Sequence, residues 1–197
     1  MLRLIALTSV LVIGCVLALR PFAGTGELEL QQPLADTELA IEKTGLDQLP
    51  DSALRDLDRL LLEAGESPDK FSSRPSLLVF HRGIKCVQCM SQLSMLGAKQ
   101  QEFEQAGVSV IGLCPEMPAQ DVVEKLKSSI GVRFPLILDE QLKLFEKYNC
   151  VDPNGEVLHG LVLLDSNGKV LWDLVSEHAY ADTEKLVEIC QTYSGQD

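Results

Sequence analysis

Ser76-Leu-Leu-Val-Phe-His-Arg-Gly-Ile-Lys-Cys-Val-Gln-Cys89 is the stretch on which the fold turns. Its first five residues, behind Arg74-Pro75, form a short apolar run that predicts a buried strand. A loop carrying two cysteines follows. From there Cys89, Leu93, Leu96 and Phe103 recur on one face of a predicted helix that Gly107 ends. A Cys-x-x-Cys at a strand-to-helix junction has a specific chemical use. The helix N-terminus leaves backbone N–H groups unpaired and carries a partial positive charge, both favourable to a thiolate at Cys86, and Lys85 adds a cation. The thiolate is the nucleophile of disulfide exchange. Cys89 lies one helical turn on, close enough to resolve a mixed disulfide, so Cys86 is expected to attack and Cys89 to close the ring. Arg82, Lys85 and Gln88 make the surroundings polar.

Downstream, strand and helix signals alternate. Val108–Leu113 predicts a second strand, and Val122, Val123, Leu126 and Ile130 mark a helix behind Pro118. Phe134–Leu138 predicts a third strand, with a helix over Glu140–Tyr148. Val157–Leu164 and Lys169–Leu174 flank Asp165-Ser-Asn-Gly168, a turn signal for an antiparallel hairpin, and a last helix covers Asp182–Thr192. This order predicts an α/β fold with a mixed central sheet covered by helices on both faces and right-handed crossovers between parallel strands.

Upstream, Leu54, Leu57, Leu60 and Leu61 at helical spacing behind Asp51-Ser52 predict an accessory helix within 51–74. Residues 24–50 are polar and read as a tether. Leu4–Leu19 is an uncharged apolar run between Arg3 and Arg20, so residues 1–23 are expected to be an export signal or membrane anchor. Val12-Ile13-Gly14-Cys15 is also similar to a lipoprotein box, with Cys15 as the lipidated residue. The domain over 75–197 is accordingly expected outside the cytoplasm, anchored to the membrane or exported.

Lys and Arg total 17 against 29 Asp and Glu in 197 residues, a net charge of -12. Nucleic acid is excluded as a partner, because phosphate binding needs a basic surface. The six cysteines are too sparse for a disulfide-stapled scaffold. Cys114 and Cys190 read as small buried hydrophobes, while Cys150 sits near a turn and is open to exposure. No second Cys-x-x-Cys and no His-x-x-x-His accompanies the first pair, so redox use is favoured over structural zinc, and no resident metal or cofactor is expected.

The stretch Phe80–Cys89 followed by Gln92-Leu93 resembles the Phe-Tyr-Arg-Gly-Gly-Trp-Cys-Pro-Tyr-Cys…Gln-Leu signature of peroxiredoxin-like proteins of the alkyl hydroperoxide reductase/thiol-specific antioxidant family, in the thioredoxin superfamily. Val110–Glu116, Phe134-Pro135-Leu136 with Asp139 and Tyr148, and His159–Asp165 with Gly168 are similar to later segments of that family, in the same order. The resemblance covers Pro75 to Tyr180 and implies a thioredoxin-like fold. Peroxiredoxins use a Pro-x-x-x-Thr-x-x-Cys loop with an Arg. In this register Arg82 stands for the Pro, Cys86 for the Thr and His159 for the Arg, and Cys89 alone keeps the peroxidatic position. The Thr and Arg would normally hold and polarise the peroxide. The resemblance also brings His159 near the cysteine pair, as a proton donor to a leaving thiolate or as a soft metal ligand.

The expected function is thiol–disulfide oxidoreduction by Cys86 and Cys89, with weak peroxide reduction alongside. Protein disulfides or peroxides are the expected substrates, and a separate reducing partner is required. Two other classes are a Cu(I)-binding module in the manner of Sco-type copper chaperones, which space their cysteines by three residues, and a scaffold whose pair no longer turns over.

Overall fold

The computed structural model describes residues 51–194. The expected signal or anchor over 1–23, Cys15 and the tether over 24–50 lie outside the described residues. Among the described residues, no helix is long and apolar enough to cross a membrane.

The centre of the sheet is β1 (Ser76–Phe80), buried at every position. It pairs in parallel with β2 (Ser109–Cys114) and antiparallel with β4 (His159–Leu164). Outside these lie β3 (Leu136–Leu138), parallel to β2, and β5 (Val170–Ser176), antiparallel to β4. The sheet order is β3-β2-β1-β4-β5. This is the mixed sheet that the alternating pattern predicts, in the thioredoxin-like arrangement that the family resemblance implies.

Side chains alternate across a strand, so β1 serves two cores at once. Leu77 and Val79 pack with Leu93, Leu96, Phe103, Leu161 and Leu163 under α3 (Val87–Ala98), α4 (Gln100–Gln105) and α7 (Thr183–Ser194), with α5 (Gln120–Ile130) adding Val123. Leu78 and Phe80 pack with Leu57, Leu61, Phe145 and Tyr148 under α1 (Asp51–Glu63) and α6 (Lys143–Lys147). Phe80 meets the Phe145 ring edge-on at 5.0 Å. Fully burying each such side chain contributes about 1.5–3 kcal/mol. With both faces covered, the inner strands read as unbroken apolar runs instead of alternating ones. A four-residue helix, α2 (Asp69–Ser72), leads into β1.

Two elements differ from the pattern-based expectation. The apolar face from Cys89 to Phe103 belongs to two helices, because Lys99 (φ −96°, ψ 6°) interrupts the run between α3 and α4. Gly97 there lies so close to the backbone of Gly131 that an added Cβ would sit 2.8 Å from its carbonyl oxygen, and helices bend at such glycines. The helix expected from Glu140 starts at Lys143 instead. The buried Asp139 carboxylate accepts the N–H groups of Lys143, Leu144 and Phe145 at 3.2, 2.8 and 3.2 Å, which places an anion against the start of α6.

Candidate active site

The site lies where β1 ends. Because β1 and β2 run in parallel while β4 runs against them, the C-terminal end of β1 lies beside the N-terminal end of β4, with Phe80 opposite Gly160. The crevice at the carboxyl ends of parallel strands is the usual location of sites in open sheets. Here the register brings His159 to the loop that carries the cysteines.

Gly83, at φ +98°, turns that loop in the left-handed region, and the Cys86 N–H closes it on the Gly83 carbonyl at 3.2 Å. Cys86 is the N-cap of α3 and its sulfur accepts the Cys89 N–H at 3.3 Å. It is half-buried, and Val87 next to it is 82% exposed. Cys89, one turn further, is 0% exposed. Its sulfur accepts the Arg82 N–H at 3.3 Å and lies 3.2 Å from His159 Nε2. Cys86 Sγ is 3.8 Å from the same nitrogen. Both thiols are free. The two sulfurs and Nε2 all lie within 4.8 Å of one another.

His159 Nδ1 is 3.1 Å from the Glu177 carbonyl, which can only accept. The neutral ring therefore carries its proton on Nδ1 and aims the Nε2 lone pair at the sulfurs. Burial holds the imidazole below its ordinary pKa against the opposing pull of that carbonyl, so the ring is neutral near pH 7. Burial is also the main reason that the Cys89 thiol is pushed well up, followed by its hydrogen bond with Cys86; the Arg82 N–H opposes both.

The remaining expected participants are peripheral. Lys85 is exposed and engaged by Glu116 at 3.2 Å, and the Arg82 guanidinium lies 3.8 Å from Glu156. Exposed pairs of this kind contribute about 0–1 kcal/mol. Arg82 acts on the site chiefly through its main-chain N–H, while its positive charge also favours the Cys89 thiolate and disfavours protonation of His159. Cys114 and Cys190 are buried, as their apolar contexts imply, and burial pushes each thiol up to about 12. Cys150, whose turn context left exposure open, is also fully buried.

Three positioning groups escape the sequence reading. The Glu177 carbonyl, which fixes the His159 tautomer, leaves no side-chain signal. Gln92 donates to the Tyr180 carbonyl at 3.1 Å and so ties the segment after β5 to α3. His81 is fully buried; its Nδ1 accepts the Gly83 N–H at 3.2 Å, and burial, with His159 adding to it, lowers its pKa to about 3. The alternation Leu77, Val79, His81 is the signal that would have placed it on the α3 side of the sheet.

Comparison with known proteins agrees with this fold. The model of the AhpC/TSA family matches residues 47–172. Peroxiredoxin 2 of Picrophilus torridus is 28% identical over 90 residues, which are 43% of this chain and 44% of that relative's length. Among solved structures, the bacterioferritin comigratory protein of Xanthomonas campestris superposes with a TM-score of 0.57 at 14% identity, over 66% of this chain and 88% of the other. The reduced 2-Cys peroxiredoxin of Plasmodium vivax gives 0.55 at 19%, over 63% and 79%. A peroxidoxin of Mycobacterium tuberculosis gives 0.54 at 20%, over 62% and 82%. At these identities the structural likeness is one of fold.

Proposed function

The chain belongs to the AhpC/TSA family, and we propose that within this family of thiol oxidoreductases it exchanges disulfides through Cys86 and Cys89. The observation that carries the reading is the unequal exposure of two adjacent sulfurs: Cys86 half-buried at a helix tip, Cys89 sealed one turn behind it. The Cys86 thiolate attacks a substrate disulfide, forms a mixed disulfide and releases the first substrate thiolate. The Cys89 thiol then passes its proton to His159 Nε2, 3.2 Å away, and attacks the Cys86 sulfur. The second substrate thiolate leaves, taking up the proton that His159 holds. An external dithiol reductant resets the pair.

The same geometry argues against rapid peroxide reduction. The sulfur in the peroxidatic register, Cys89, has no exposed surface, and the positions of the Thr and Arg that would orient a peroxide hold Cys86 and His159. Weak peroxide turnover through Cys86 fits this reading. The apolar run at Leu4–Leu19 supports an extracytoplasmic site of action, with protein disulfides as substrates.

The experiment is a disulfide-reduction assay with trapping. Cys86→Ser is expected to abolish turnover, and Cys89→Ser to accumulate a mixed disulfide on Cys86 that mass spectrometry detects. Full activity in Cys86→Ser, with the trapped adduct on Cys89, would overturn the assignment.

A further inference from the structure

We propose that the reduced site also binds one Cu(I) ion, held by Cys86 Sγ, Cys89 Sγ and His159 Nε2. Donors bound at roughly 2.0–2.3 Å around one ion in a plane lie about 3.5–4 Å apart. The two sulfurs stand 3.8 and 3.2 Å from Nε2, and the whole set lies within 4.8 Å, so the ion is accommodated by small side-chain rotations without backbone movement.

Four further features fit a soft cation. The first is the donor set: two thiolates and an imidazole are soft or borderline ligands and select Cu(I) over hard ions such as Mg²⁺ and Ca²⁺. The second is the support of His159, whose Nδ1–H donates to the Glu177 carbonyl; metal-bound histidines are held in this way, with the tautomer fixed and the second nitrogen aimed at the ion. The third is amide donation to both sulfurs, from Cys89 N–H to Cys86 and from Arg82 N–H to Cys89, which stabilises charge left on the thiolates. The fourth is access: Cys86 faces solvent and provides the entry side, while Cys89 and His159 form a buried floor. Three donors converge among the described residues. That number completes three-coordinate Cu(I), whereas Zn²⁺ would have to add water as a fourth ligand on the open side.

Binding and exchange compete for the same lone pairs. An ion shared by both thiolates leaves neither sulfur free to attack, so Cu(I) protects the pair from oxidation and inhibits disulfide exchange. The site is then a store or relay for the ion in one state and a redox centre in the other.

The test uses the full chain, reduced and without oxygen, titrated with Cu(I) against a colorimetric chelator. One equivalent is expected, with sulfur-to-copper charge-transfer absorption in the near ultraviolet. Cys86→Ser and Cys89→Ser should each weaken retention at least 100-fold and His159→Ala at least tenfold, while His178→Ala leaves it unchanged. The wild-type chain oxidised to the Cys86–Cys89 disulfide should retain none, a control that does not depend on a variant folding. Retention that survives oxidation or His159→Ala would overturn the proposal, as would Zn²⁺ displacing the ion at equal concentration. Disulfide formation by the same pair is followed separately in a redox buffer. A chain that forms the disulfide but holds no Cu(I) refutes the metal site and leaves the exchange reading standing.

Discussion

Replacing Gly160 with Ala tests how tightly the strand beside the site is packed. Gly160 lies opposite Phe80 in the β1/β4 register, immediately after His159. A Cβ built there would overlap Cys150 Sγ and stand 3.3 Å from both Cβ and Cδ2 of Phe80. Phe80 and Cys150 are both fully buried, so neither can swing into solvent. Overpacking of this type costs about 1–3 kcal/mol. A value of about 2 kcal/mol lowers the folded-to-unfolded ratio roughly 30-fold. At roughly 3–4 °C per kcal/mol for a domain of this size, the midpoint of thermal unfolding falls by about 6–8 °C. Because the sulfur is the main obstacle, Cys150→Ala should relieve the clash. The double variant Gly160→Ala/Cys150→Ala is expected to be at least about 1 kcal/mol more stable than the sum of the single changes predicts. Circular dichroism melts and urea titrations of the four proteins measure the cycle. An unchanged midpoint in Gly160→Ala, or additive single effects, would refute the packing argument and with it the role of Cys150 as a spacer cut to fit a glycine.

Two more predictions concern stability. Asp139→Ala removes the acceptor of three N–H groups at the start of α6 and should cost about 2–3 kcal/mol in urea unfolding, with Asp139→Asn intermediate; a loss below about 0.5 kcal/mol would show that the cap is dispensable. His81 has an ordinary pKa of 6.5 and one of about 3 when folded, so between those values the unfolded chain holds the extra proton. Its contribution is whole above pH 6.5 and is lost as the pH falls toward 3, amounting to about 2 kcal/mol between pH 7 and pH 5. His81→Asn, whose amide oxygen can still accept the Gly83 N–H, should flatten that part of the stability curve. An equally steep curve in the variant would remove His81 as its cause.

The sheet was legible in the sequence because its inner strands are covered on both faces. Leu77–Phe80, Val110–Leu113 and Leu161–Leu164 each form an apolar run that no surface helix would carry, and Asp165-Ser-Asn-Gly168 announces its own hairpin. The cysteine loop was legible for the same reason, since a strand followed by Cys-x-x-Cys and a helical stripe leaves little freedom in where the pair sits. His159 came from resemblance and not from pattern, because its nearness to Cys89 depends on the pairing of β1 with β4, which no local signal encodes. Other features depend on tertiary detail. The break at Lys99 falls two residues after Gly97, where the backbone of Gly131 leaves no room for a side chain. Lys85 is next to Cys86 in sequence, but Glu116, which is 31 residues away, engages its charge. Cys150 looked like a turn residue, yet the gap above Gly160 draws its sulfur into the core.

The capping role of Cys86 ties chemistry to conformation. The Cys89 amide in the first turn of α3 rests on the atom that reacts, so the helix tip is anchored most firmly while that sulfur carries charge. Once the sulfur is committed to a bond with Cys89, it becomes a neutral and poorer acceptor, and the opening turn loosens. The two oxidation states of the pair thus differ in the stiffness of a surface turn as well as in charge.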